Sequence, residues 1–272
     1  MNYLQFEFET ENQQQLEQLV ALLNEQGFEG FEEDESNLKA FISEDNFNQE
    51  YFYNVLDLFS DIIYTRTVVE HINWNQKWEE DFKPVIIGNF VSIRAGFHQP
   101  VTGVAHEIII TPKMSFGTGH HATTFLMVQQ METLNFIGKT VLDFGTGTGL
   151  LAIIAEKCGA NKILAIDYDE WSITNARENI DQNSCLSIEL ALSNKIPGDR
   201  MFDFVLANIN LNFILANLIS ISNVLDSGAC VLLSGFLKEN ENLILVALNE
   251  VALFYEFTFQ RGDWIVIVAK KL

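Results

Sequence analysis

The sequence has few basic residues. Among its 272 residues, 16 are lysine or arginine and 37 are aspartate or glutamate, which gives a formal net charge of −21. A field of this sign repels phosphate groups, so it disfavours direct binding of nucleic acid and favours a basic protein partner. The same charge also suits an acidic surface whose only role is to keep the protein soluble.

Cysteine and proline are scarce as well, with three and four residues. Cys158, Cys185 and Cys230 stand far apart without a C-x-x-C pair. This spacing argues against a disulfide framework or a metal site and fits a reducing cytosol. Because hydrophobic residues make up 48% of the chain, we expect a packed core rather than disorder.

Targeting and membrane signals are missing from the sequence. The first residues contain no basic stretch followed by an apolar run, so they do not predict a signal peptide. The chain also has no apolar run of about 18 residues, the length that a membrane-spanning helix needs. These features predict a cytoplasmic protein without membrane contact.

Residues 1–70 have the pattern of a small α+β domain. Residues 3–8 alternate apolar and polar side chains, as a half-buried strand does, and the leucines around residues 16–23 recur at helical spacing. Two further strands, a helix at about 47–59 and a strand at 62–69 complete a β-α-β-β-α-β order. This order is typical of a ferredoxin-like domain.

Residues 71–90 are predicted to link two domains. Trp74, Trp78 and Phe82 are four residues apart among charged residues, so they could form one stripe on a helix. We expect this stripe to pack between the domains; the alternative is a ligand site.

From residue 91 to residue 272, apolar strands alternate with helices. Strands such as residues 162–166 are continuously apolar, which is typical of a parallel sheet covered on both faces. Residues 254–259 and 264–269 flank a Gly-Asp turn and predict an antiparallel hairpin at the C-terminus. The fold class is therefore α/β, with a doubly wound Rossmann-like sheet.

A glycine loop, Asp143-Phe144-Gly145-Thr146-Gly147-Thr148-Gly149, connects a buried strand to a helix. Glycines allow the backbone to approach a ligand closely, and ligands bind beyond the carboxyl ends of strands in such sheets. Asp167 ends the next strand, 22 residues after Gly145, where a carboxylate can accept hydrogen bonds from ribose hydroxyls. The pattern predicts an adenosine-containing cofactor.

Two cofactors fit this loop. Residues 147–152 also match the dinucleotide fingerprint G-x-G-x-x-A, which keeps an NAD-dependent oxidoreductase open. Against that alternative, Asp143 would repel a pyrophosphate but suits the ammonium group of a methionine moiety. The acidic loop and the antiparallel end of the sheet resemble class I methyltransferases, whose first motif is E/D-x-G-x-G-x-G and whose cofactor is S-adenosyl-L-methionine.

Three further segments narrow the resemblance. Phe116–Thr124 fits F-G-T-G-x-H-x-T-T, Ala207-Asn208-Ile209 ends a later strand, and Trp78–Pro84 fits W-x-x-x-F-x-P. With the glycine loop and the small N-terminal domain, these segments resemble the PrmA family, the methyltransferases of large-subunit ribosomal protein L11. Thr146 stands where that family usually has cysteine, and Lys113 and Ala122 replace its usual glycine and proline.

This resemblance implies an S-adenosylmethionine-dependent protein N-methyltransferase. The implied cofactor contacts fall on Thr124, Gly145, Asp167 and Asn208. The family resemblance also implies that the N-terminal domain recognises L11, and that lysine side chains and the N-terminal amine are methylated several times. A linker would then let the catalytic domain reach several sites on one bound substrate.

The chemistry places one demand on the site, because a free lysine amine with a pKa of about 10.4 must lose a proton before it attacks a sulfonium. We expect Asn208, at the end of a strand, and the nearby backbone carbonyls to orient the amine lone pair toward the methyl group, and a water-poor site to lower the pKa of the amine. His120 and His121 are expected to be loop and cap residues. A binding or assembly module with this fold but without the activity remains the alternative.

Overall fold

A computed structural model describes residues 3–9, 13–33, 37–59, 62–69, 82–113 and 117–272. The chain divides into two compact units, residues 1–81 and 82–272. Trp74, Trp78 and Phe116, on which parts of the sequence interpretation rest, lie outside the described residues.

In its described residues, the small unit contains a four-stranded antiparallel sheet and two helices. Its elements are β1 (Tyr3–Glu9), α1 (Gln13–Glu25), β2 (Gly30–Glu33), β3 (Asn37–Ser43), α2 (Gln49–Leu56) and β4 (Ile63–Val69). The strand order is β2-β3-β1-β4, and every neighbouring pair is antiparallel. The alternating pattern of β1 buries Leu4, Phe6 and Phe8 in one core with residues of both helices, such as Leu19 and Phe52.

The large unit is built on a seven-stranded sheet. Its elements are β5 (Val85–Ile87), β6 (Val91–Ala95), β7 (His106–Ile110), α3 (Ala122–Met131), β8 (Thr140–Phe144), α4 (Leu150–Lys157), β9 (Lys162–Asp167), α5 (Glu170–Gln182), β10 (Ile188–Leu192), β11 (Phe202–Asn208), α6 (Leu211–Asn223), β12 (Leu225–Leu237), α7 (Glu241–Glu250), β13 (Leu253–Arg261) and β14 (Trp264–Lys271). The order is β10-β9-β8-β11-β12-β14-β13. The first five strands of this order run parallel, whereas β14 is antiparallel to both β12 and β13.

The strands of this sheet are apolar on both sides because helices cover both faces. One face packs against α3, α4 and the C-terminal half of α5, and the other packs against α6 and α7. The sequence prediction of a doubly wound Rossmann-like sheet with a C-terminal hairpin is confirmed.

Two details differ from the sequence interpretation. Residues 91–95 and 106–110 lie within the segment 91–272 that was predicted to form the doubly wound sheet, but they do not join it. With β5 they form a separate three-stranded sheet, in which β6 is antiparallel to β5 and parallel to β7. In addition, β5 lies inside the segment predicted as a linker, and Ile87 is buried in the core of the large unit. A three-residue strand is too short for periodicity to detect. Across the described segments, no helix is long and apolar enough to cross a membrane.

Candidate functional site

A cavity of about 640 Å³ opens at the edge where the parallel strands of the large sheet end. Five strands bring a residue to it: Asp167 ends β9, Gly145 follows β8, Asn208 ends β11, Gly235 lies in β12 and Trp264 begins β14. Because β14 runs antiparallel, its first residue meets the carboxyl ends of the others. Sheet topology therefore gathers residues that are up to 119 positions apart.

Two glycines allow the chain segments to approach one another at the cavity. Gly145 has a φ of +79°, and a Cβ atom there would overlap the side chain of Ile209. Gly235 has a φ of +101°, and a Cβ atom there would overlap the carbonyl oxygen of Ile209 and lie 2.7 Å from its carbon. A larger residue at Gly235 would therefore displace the backbone that follows Asn208, whereas one at Gly145 would displace the side chain of Ile209.

Asp143 does not line the cavity, contrary to the sequence interpretation that its carboxylate faces a ligand ammonium group. It is 1% exposed, and its Oδ2 accepts hydrogen bonds from Thr146 Oγ1 at 2.6 Å and from the backbone N–H of Ala152 at 3.2 Å. Burial raises the pKa of this carboxyl to about 7, against the opposing effect of the two hydrogen bonds. Asp143 therefore holds the glycine loop against the start of α4, and Thr146 donates one of the two hydrogen bonds that Asp143 accepts.

Asp167 lies on the cavity wall, where the sequence predicted it. Its Oδ2 accepts a hydrogen bond from Gly147 N at 2.9 Å, and its Oδ1 accepts one from Asp169 N at 3.0 Å. A carboxylate has about four acceptor positions, so capacity for a ligand remains. The two backbone bonds fix the carboxylate against the glycine loop.

The cavity extends past Asp167 along residues that the sequence interpretation missed. Tyr168, Asp169, Ser193 and Asn194 line this end, and Tyr168 is 74% exposed. Asp169 caps α5, and the hydroxyl and backbone N–H of Ser172 hold the pKa of its carboxyl below the usual value. Ser193 and Asn194 could have been predicted as cavity residues from the sequence, because they directly follow β10, the next parallel strand.

Asn208 lies on the cavity wall and is tied to the first turn of α3. Its Nδ2 donates a hydrogen bond to Thr124 Oγ1 at 3.1 Å, whereas its Oδ1 is buried and has no hydrogen-bond partner among the described residues. Thr124 is 1% exposed and is absent from the residues that line the cavity; Thr123 and His121 line it instead. Thr124 was expected to contact the cofactor, but in this structure its hydroxyl bonds to Asn208 instead.

His121 caps α3, in agreement with the expectation for it. Its Nδ1 accepts a hydrogen bond from the backbone N–H of Thr123 at 3.3 Å. The neighbouring His120 is a loop residue whose Nε2 lies 2.8 Å from the carbonyl oxygen of Lys83. The ring of His121 meets the indole of Trp264, with 4.6 Å between ring centroids.

The cysteines offer no nucleophile near neutral pH. Burial raises the pKa of the thiols of Cys158 and Cys185 to about 11 and that of Cys230 to about 12. The described residues also contain no group of three or more His, Cys, Asp or Glu side chains that could hold a metal ion. The polar groups at the cavity are therefore hydrogen-bonding groups suited to binding and orienting a ligand.

The fold and the position of this cavity define the class I methyltransferase fold. A methyltransferase structure from Pyrococcus furiosus shares it, with a TM-score of 0.53 and 23% identity over 60% of this chain and 89% of that one. The structure of a ribosomal protein L11 methylase from Lactobacillus delbrueckii subsp. bulgaricus is more similar, with a TM-score of 0.65 and 29% identity. It covers 70% of this chain and 100% of that one.

The chain belongs to the ribosomal protein L11 methyltransferase family. The family model described as "Ribosomal protein L11 methyltransferase (PrmA)" matches residues 4–272. Proteins of that name from Bacteroides fragilis and Phocaeicola vulgatus are 37% and 34% identical, each over 98% of this chain and 99% and 98% of the relative. The resemblance stated from the sequence motifs is confirmed.

Proposed function

We propose that this protein transfers methyl groups from S-adenosylmethionine to lysine side chains and the N-terminal amine of ribosomal protein L11. The observation that carries the proposal is the buried Oδ1 of Asn208 on the wall of the cavity, an acceptor to which no residue in the described part of the chain donates. A buried acceptor without a partner is costly, so a ligand N–H is the expected partner. A substrate amine supplies such an N–H group.

The cavity fits the proposed cofactor. Its volume of about 640 Å³ is in the range of small-molecule sites. Asp167 would accept the ribose hydroxyls, and the backbone at Gly145 and Gly147 would lie against the methionine part. Tyr168, Ser193 and Asn194 surround the end where the adenine would lie. When bound, S-adenosylmethionine supplies a methyl group on a sulfonium, a good leaving group.

The side chains of this protein then position the acceptor. The lone pair of the neutral amine would form the N–C bond as the C–S bond of the cofactor breaks, and the electrons of that bond would stay on sulfur as a neutral thioether. Asn208 Oδ1 accepts a hydrogen bond from the amine N–H and so aims the lone pair at the methyl carbon. The product ammonium loses its proton to water before another transfer.

The walls of the cavity favour the neutral amine. Phe144 and Phe213 line it as a stacked pair with ring centroids 5.4 Å apart, and Ile209 lines it beside them. Such surroundings disfavour a charged ammonium and lower the pKa of the substrate amine. Positioning and desolvation of the amine can account for the rate acceleration of methyl transfer, so the mechanism needs no dedicated general base.

The small unit is proposed to recognise the protein substrate. Residues 1–81 contain 19 acidic and 3 basic residues, a formal net charge of −16, whereas residues 82–272 contain 18 acidic and 13 basic residues, a net charge of −5. A ribosomal protein contacts RNA phosphates and is expected to be basic. The charge is thus concentrated in the unit that would attract such a substrate. A ribosomal substrate is consistent with a cytoplasmic location.

The decisive experiment incubates the purified protein with labelled S-adenosylmethionine and a mixture of purified ribosomal proteins. We expect one labelled protein, L11, and mass spectrometry of its peptides should place the methyl groups on lysine and the N-terminal amine. Label on another protein would refute the proposed substrate. Cofactor binding without any label would instead support a binding or assembly module.

A further inference from the structure

The sheet sets the order of residues along the edge of the cavity. From one side to the other this order is Asp167 of β9, Gly145 after β8, Asn208 of β11, Gly235 of β12 and Trp264 of β14. Neighbouring strands are about 4.8 Å apart, so β14 lies about 10 Å from β11 across the sheet, on the side away from Asp167. Trp264 also lies farther out along the strand direction, because it pairs with Leu237 of β12 whereas Asn208 pairs with Ser234. The proposed cofactor would be held between Asp167 and the region of Asn208. The cavity beyond that point is left for the acceptor.

Trp264 and His121 form one wall of this remaining space. Both residues line the cavity, both are half-buried, and their rings meet edge to face at 71°. They come from the β13–β14 hairpin and from the start of α3, two elements that the sequence separates by more than a hundred residues. The pair presents an apolar indole surface toward the cavity.

A second contact holds the hairpin in place. The guanidinium carbon of Arg261 lies 3.5 Å from the ring centroid of Phe125, which belongs to α3. Arg261 ends β13 and Trp264 begins β14, so the two residues flank the same turn. This stacking ties the turn to α3 and fixes where the indole of Trp264 lies.

We infer that Trp264, braced by His121, is a specificity-determining residue whose indole packs against the aliphatic arm of the substrate lysine. The inference rests on the proposed function. Four methylene groups need an apolar surface to reach the methyl group without water around them, and an indole supplies a large one. Arg261 is a positioning residue, because it acts through the placement of Trp264.

The test uses full-length L11 with an acetylated N-terminus, so that only lysine side chains can accept methyl groups. Trp264→Ala should raise KM for this substrate about tenfold or more, as expected for loss of several buried methylene contacts. Trp264→Phe should retain most of the activity, because a ring remains. Arg261→Lys should change KM in the same direction by a smaller factor. Tyr255→Ala is the matched control, since Tyr255 is an exposed aromatic residue of β13 that does not line the cavity.

The dissociation constant of S-adenosylmethionine, measured by calorimetry, provides the second readout. It should stay unchanged in Trp264→Ala, which also shows that the variant is folded. An unchanged KM for acetylated L11, or an equal loss of cofactor binding, would overturn the inference while the proposed function stands. If the wild-type protein transfers no methyl group to this substrate, the proposed lysine methylation and the inference both fail.

Discussion

The side-chain amide nitrogen of Asn208 donates a hydrogen bond to the hydroxyl oxygen of Thr124 at 3.1 Å, across 84 residues of sequence. The bond connects the end of β11 to the first turn of α3. Because this bond engages the nitrogen, the amide oxygen is the atom that finds no partner within the described segments. The orientation of the Asn208 side chain, and thus of its Oδ1 as a hydrogen-bond acceptor, therefore depends on Thr124, which does not line the cavity.

The first prediction concerns Asn208. Asn208→Ala should lower kcat for L11 methylation by about 10- to 100-fold, the cost of one hydrogen bond to a reacting group. Steady-state kinetics at saturating S-adenosylmethionine measure the effect. Thr124→Val should cause a smaller loss because the amide of Asn208 can rotate, and Thr124→Ser should stay close to wild type. Full activity of Asn208→Ala would remove the proposed role of Asn208.

The second prediction concerns Asp167. Asp167→Ala removes the proposed partner of the ribose hydroxyls and also the carboxylate that accepts the N–H of Gly147. We expect the affinity for S-adenosylmethionine to fall about 100-fold, since hydrogen bonds to charged groups contribute about 1.5–3 kcal/mol each. Isothermal titration calorimetry measures it. Asp181→Asn, at an exposed position of α5, should bind the cofactor like the wild type; equal affinities of all three proteins would contradict the assignment.

The third prediction concerns Gly235. Gly235→Ala places a Cβ atom against the backbone of Ile209 and should move the segment that carries Asn208. We expect kcat to fall at least about tenfold while the circular dichroism spectrum stays unchanged. A displacement of about 1 Å of a group that positions the substrate is enough for such a loss of rate. Gly198→Ala is the control, since a Cβ atom at Gly198 meets nothing within 4 Å. Wild-type kcat in Gly235→Ala would show that the close approach is dispensable.

The fourth prediction concerns the pH dependence of stability. Burial raises the pKa of Asp143 to about 7, whereas an unfolded aspartate has a pKa of about 3.9. Between these values the native chain keeps a proton that the unfolded chain has released, so Asp143 lowers the free energy of unfolding as pH rises through this window. Above about pH 7 its contribution is constant.

Urea unfolding of the wild type and of Asp143→Asn at several pH values tests this. The neutral amide cannot ionise, so the free energy of unfolding of the variant relative to wild type should increase with pH, by of order 4 kcal/mol in total. Parallel pH profiles of the two proteins would show that Asp143 ionises normally in the native state.

The fifth prediction concerns the charge of the small unit. Raising the ionic strength from about 0.01 M to about 0.15 M shortens the Debye length from about 30 Å to about 8 Å. We expect KM for L11 to rise severalfold, while the affinity for S-adenosylmethionine changes much less, because the protein substrate carries many charges and the cofactor carries a single net positive charge.

A matched pair of triple variants locates this effect. Each neutralises three exposed acids, in the small unit Glu9→Gln, Glu32→Gln and Asp45→Asn, and in the large unit Asp199→Asn, Asp226→Asn and Glu250→Gln. Only the first should raise KM for L11 and reduce its salt dependence. Equal effects of both variants would mean that overall charge, and not the small unit, attracts the substrate.

Local patterns in the sequence were sufficient for most of the fold. Continuous apolar runs predicted the parallel strands, and the glycine loop marked the end of β8. The side-chain partners were not predictable in the same way. Asp143 was interpreted as a ligand-facing acid, but it is turned into the loop because Thr146 and the helix backbone offer it hydrogen bonds that spacing alone does not reveal.

The sequence by itself determined the family, the doubly wound sheet and the placement of Asp167 and Asn208 at strand ends, because these depend on periodicity and on short motifs. Only the tertiary structure decided which atoms face the cavity. Strand order is a long-range property, so the sequence could not show that antiparallel β14 brings Trp264 beside His121. The same holds for Thr124, whose hydroxyl bonds to Asn208 because α3 packs against the end of β11.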